Sequence, residues 1–256
     1  MNLKSSVLSR ELKSSLWIIF ILTLIFGFND GRDSFVFSSW IHNFFNVFVV
    51  VAITIIAHAI GAKLSAGRLG QEAELKLLKI ERIKFSFFGF RVEKNLYWDI
   101  LGFKIKGMPI GAIIGFLMMI ISKGTFYFTA VSTIIVRKIP RLGKGFELHE
   151  SKEALIYSSA LIANLILIIL FNYFNYPFGV VVNIYFVLWN LLPIPGLLGS
   201  KIFFNNKPFY IFFLVFAALF LLLFTKLNLV FLVIFSAVVA FLAMILWVFK
   251  KEHKSL

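Results

Sequence analysis

The chain contains no cysteine. That excludes disulfides, thiolate metal ligands and cysteine nucleophiles, and it leaves the redox compartment open. Carboxylates are scarce, with 12 aspartates and glutamates against 26 lysines and arginines. The aspartates are Asp30, Asp33 and Asp99, and no long apolar run carries a carboxylate in its middle. Histidine is rarer than arginine or lysine, with only His42, His58, His149 and His253. Few side chains are therefore left to hold a metal inside an apolar segment. No internal repeat or low-complexity linker is evident, and no small-residue cleavage site follows the first apolar run, which reads as an uncleaved span.

What the chain has in excess is apolar surface. Of its 256 residues 60% are hydrophobic and 33 are phenylalanine, with a mean hydropathy of +0.93. A soluble domain of this length cannot hide so much apolar surface, so lipid is the expected solvent for most of it. The net charge of +14 flanks the apolar runs, which is the pattern that sets membrane orientation rather than nucleic-acid binding.

Apolar runs cover about 14–28, 35–61, 154–174, 178–198 and 209–249, and the last is broken at Thr225–Asn228 into two. About 20 residues cross the hydrocarbon core, so these are six predicted spans. With the N-terminus inside, segments 1–13, 62–153, 199–208 and 250–256 are cytoplasmic and carry 24 of the 26 basic residues; only Arg32 and Lys226 lie outside. The run 108–121 has basic flanks and is too short to cross, which suits a re-entrant or interfacial segment. Alternation in "RIKFSFFGFRV" predicts short strands or a hairpin within 62–107, "GTFYFTAVSTIIV" (124–136) is similarly β-prone, and "RKIPRLGKG" (137–145) reads as a basic loop. The expected fold is an all-α multipass membrane protein in one domain, 1–256. It has about six transmembrane helices, one interfacial segment and a small cytoplasmic β-hairpin region.

Two helix ends carry the polar chemistry. In the second span Asn43, Asn46, Thr54 and His58 fall within about a third of the helix circumference at ~100° per residue. Polar groups inside a membrane mark function by default, while their plainer role is to knit helices together. In "WNLLPIPGLLGSK" (189–201), Pro193 and Pro195 end a span near the cytoplasmic side, because proline lacks the backbone donor and clashes with the preceding turn. Asn183 and Asn190, seven apart, share a face of that span, and Asn164 stands in "SALIANL" (159–165).

In order and spacing these stretches resemble the site-2 protease family of intramembrane zinc metalloproteases, over about 45–205. That family carries H-E-x-x-H near the end of one span and an N-x-x-P-x-P-x-L-D-G-G-type sequence near the end of a later one. Here they read "HAIGAKLSAGRLG" and "NLLPIPGLLGSK". "SALIANL" looks like the family's A-G-P-L-A-N-L, and "GMPIGAIIGFLMMIISKGTFYFTAVS" looks like the stretch that archaeal relatives place after a cytoplasmic strand region. The helices at 209–249 are additions to this core.

The resemblance implies a zinc held by two histidines and an aspartate, with a glutamate as base. His58 matches the first histidine, but Ala59 stands at the glutamate, Ala62 at the second histidine and Leu198 at the aspartate. The motif relics are thus His58, Asn190, Pro193 and Pro195, beside a predicted polar cavity of Asn43, Asn46, Thr54, Asn164 and Asn183. The expectation is no catalytic residue, no resident cofactor and no nucleic-acid partner. What remains is an inactive relative in the lipid bilayer that binds or regulates a transmembrane protein or peptide. Two alternatives stand beside it: an active zinc protease rebuilt from His58, His149 and Glu150, and a small transporter or channel component built on the broken helices. The resemblance implies a prokaryotic plasma membrane, with both termini cytoplasmic by the charge asymmetry.

Overall fold

A computed structural model describes residues 3–32, 35–80, 82–87, 90–95, 97–100, 103–138 and 150–252. The chain is mostly helical and divides into two compact units, residues 1–52 with 75–133 and residues 53–74 with 134–256. The division runs through one helix and two strands rather than through a linker.

The first unit holds α1 (Leu3–Gly27), the first half of α2 (Phe37–Arg68) and α3 (Ile110–Ile121). At 12 residues α3 is about 18 Å long, far short of the ~30 Å hydrocarbon core, as expected for 108–121. The core of this unit gathers Ile18, Leu22, Ile25, Phe26, Val47, Val51 and Ala130. The alternating stretch forms β2 (Arg82–Phe87) and β3 (Phe90–Asn95), antiparallel from Arg82 opposite Asn95 to Phe87 opposite Phe90. A second hairpin pairs β4 (Tyr97–Ile100) with β5 (Phe103–Lys106). Strand β1 (Gln71–Leu77) follows α2 directly, after Gly70 turns the chain with φ +70°. It pairs with β6 (Ser132–Lys138), the β-branched end of 124–136. The predicted basic loop begins inside β6, and 139–145 lie outside the described residues.

The second unit holds the C-terminal half of α2, then α4 (Glu150–Tyr173), α5 (Pro177–Leu191), α6 (Leu198–Asn205), α7 (Lys207–Leu223) and α8 (Leu229–Glu252). Helices α4 and α5 form a hairpin whose turn places Asn175 at φ +54°, with Pro177 opening α5 where its missing N–H costs nothing. Helix α5 stops at Leu191 because Pro193 cannot continue it, and Leu192 is extended. The connection 199–208, expected only as a cytoplasmic segment, is itself helical as α6. Asn206 then caps α7 by accepting from the Phe209 N–H at 3.0 Å. The predicted break at Thr225–Asn228 separates α7 from α8, and the Asn228 side chain accepts from the Val230 N–H at 3.1 Å.

A helix therefore lies in each of the six apolar runs. Three of them, α2, α4 and α8, are long and apolar enough to cross a membrane. Helices α5 and α7, with 15 and 17 residues, are about 22 and 25 Å long. Helix α1 carries Arg10, Glu11 and Lys13 in its first half. Only 17% of the apolar stretch of α8 is buried, and Val230, Ile234, Val238 and Leu246 are among its exposed side chains. That surface is compatible with lipid.

Candidate functional site

The site is built where α2, α4 and α5 meet in the second unit. Gly61 of α2 makes the approach possible: a Cβ there would stand 2.6 Å from the Ser159 carbonyl oxygen and 2.9 Å from the Ala163 Cβ. Small residues at such crossings let backbones close up. Ser159 Oγ donates to the Gly61 carbonyl at 3.0 Å and so ties the two helices. Three residues before Gly61 on α2, and one after Ala163 on α4, stand His58 and Asn164.

Their side chains meet. His58 Nδ1 lies 2.7 Å from Asn164 Oδ1. Asn164 Nδ2 donates to the Thr54 carbonyl at 3.2 Å and to Asn183 Oδ1 at 3.0 Å. Asn183 Nδ2 donates to Thr54 Oγ1 at 3.1 Å and to the Gly179 carbonyl at 2.8 Å. The Thr54 carbonyl can only accept, which fixes the Asn164 amide with its oxygen towards His58. Asn164 Oδ1 accepts, so His58 Nδ1 carries the hydrogen and donates. His58 Nε2 makes no hydrogen bond of good geometry among the described residues, although the Ala160 carbonyl lies beside the ring. Phe186 meets the imidazole edge to face, with centroids 4.9 Å apart. All four network residues are buried to within 1% of complete burial. The arrangement is a closed hydrogen-bonded cluster rather than an open polar cavity.

Of the residues expected together, Thr54, His58, Asn164 and Asn183 are brought into one cluster. Asn43 is half-buried and Asn46 exposed, and both belong to the other unit. Asn190 is fully buried one turn beyond Phe186, whose carbonyl accepts from its Nδ2 at 2.9 Å, while its Oδ1 has no partner among the described residues. Pro193 and Pro195 are exposed at the helix break. His149 lies outside the described residues, as does the side chain of Glu150, whose backbone opens α4.

A catalytic zinc takes three protein ligands and a water. Here Ala62 and Leu198 are buried apolar groups and Ala59 has no donor, so His58 Nε2 is the one donor that the matching positions supply. Among the described residues no group of three or more His, Asp or Glu side chains could hold a metal. The described residues do not fit zinc.

A second cluster escaped the sequence. Lys201 of α6 donates to the Ile134 carbonyl of β6 and sits 5.3 Å over the Tyr157 ring. Tyr157 donates to Glu153 Oε2 at 3.4 Å, and Asn205 donates to the same oxygen at 3.3 Å. Glu153 and Tyr157 are one turn apart on α4, which was visible, but nothing in the sequence ties them to a lysine 48 residues on. Burial pulls the Lys201 ammonium down from 10.5 to about 8, against the opposing pull of the Glu153 carboxylate. Between about pH 8 and 10.5 the unfolded chain keeps a proton that the folded chain has released. On this group's account, stability therefore rises with pH through that window. Lys201→Met is expected to flatten that rise, read as the unfolding midpoint in detergent from pH 7 to 10.5.

Compared with known protein families, with curated proteins and with solved structures, this chain matches none.

Proposed function

We propose that this chain is a proteolytically inactive, site-2-protease-like membrane protein that binds or regulates another membrane protein. On this reading the six helices in the apolar runs all cross the bilayer, with α5 and α7 spanning by local thinning or through their flanking residues. Both termini then face the side that carries 24 of the 26 basic residues.

The observation that carries the reading is the state of His58. Its Nδ1–H is spent on Asn164, and Ala59, Ala62 and Leu198 occupy the places where a base and two further ligands would stand. His58 and Asn164, which resemble the family's motifs, join Thr54 and Asn183 in bonds that tie three helices together, and a helix-packing role needs no water, base or metal. What such a scaffold keeps is a bundle with a broken helix at Leu192–Leu197, where Leu192 and Ile194 are exposed apolar groups.

Bound metal tests this directly. Detergent-purified protein is expected to carry well under one equivalent of zinc by elemental mass spectrometry, and His58→Ala is expected to leave that value unchanged. About one equivalent in the wild type that disappears in the variant would overturn the inactive reading. His149 and Glu150 would then be the next substitutions.

A further inference from the structure

We draw no further inference here: the strongest candidate, the exposed apolar surface of α8 that carries Val230, Ile234, Val238 and Leu246, has nothing in the structure to show what covers it.

Discussion

Asn164→Leu is expected to be the most destabilising single change among the buried polar residues, at roughly 2–3 kcal/mol. The estimate follows from what each partner loses. Asn164 makes three interhelical hydrogen bonds, to His58, to the Thr54 carbonyl and to Asn183. Interhelical bonds in membranes average about 0.6 kcal/mol and reach about 1.7. Leucine keeps the asparagine's branching but leaves the His58 Nδ1–H and Asn183 Oδ1 buried without partners, and orphaned groups cost about 1–3 kcal/mol each. Removing an end of the network leaves one orphan instead of two: His58→Ala strands the buried Asn164 Oδ1 and empties the space against Phe186, and is expected to cost about 1–2 kcal/mol. The two variants are best compared by unfolding in mixed micelles. An Asn164→Leu protein as stable as the wild type, or one less affected than His58→Ala, would mean that the cluster does not hold α2, α4 and α5 together.

The second large effect is steric. A Cβ on Gly199 would run into the backbone carbonyl of Leu191 and also meet the Leu192 carbonyl at 2.5 Å. No rotamer relieves a clash with backbone, so α6 must move away from the end of α5. Overpacking of this kind costs about 1–3 kcal/mol and occasionally more, and Gly199→Ala is expected at or above the top of that range. Gly67 is the natural comparison, because a Cβ there meets nothing within 4 Å and lies in the last turns of α2. Gly67→Ala is expected to stabilise by about 0.4–1 kcal/mol through the lost flexibility of the unfolded chain. Parallel melting curves read both signs. A Gly199→Ala protein that melts with the wild type would show that α6 can leave α5 at no cost, and the packing at the helix break would need another account.

Much of the fold was legible because long apolar runs are locally explicit. The apolar runs mark helices wherever they occur, and the alternation in "RIKFSFFGFRV" marks β2 and β3 without knowledge of a partner. The break at Thr225–Asn228 was readable because asparagine supplies its own cap. Span lengths were less legible. A run of apolar letters does not say where Pro177 and Pro193 start and stop α5, or that α7 ends at Leu223 and leaves Phe224 outside it. The polar cluster was half visible. Helical angles place Asn46 and Thr54 on neighbouring lines along α2, but eight residues separate them by about 12 Å along the axis. Only the lower turns reach Asn164 and Asn183. The Lys201 cluster was invisible because its members come from α4, α6 and β6, and no local pattern announces a contact between distant segments.

Asn206 carries a consequence for how force passes through the second unit. It is the residue that closes α6 and the one that caps α7, so the joint between the two helices is a single residue long. A joint of that length has no slack. Helix α6 also carries Lys201, which donates to the Ile134 carbonyl of β6, so the start of α7 lies one residue from the helix that holds that strand. Two glycines inserted after Asn206 would put slack into that joint and are expected to loosen α6 from α7 while leaving each helix formed.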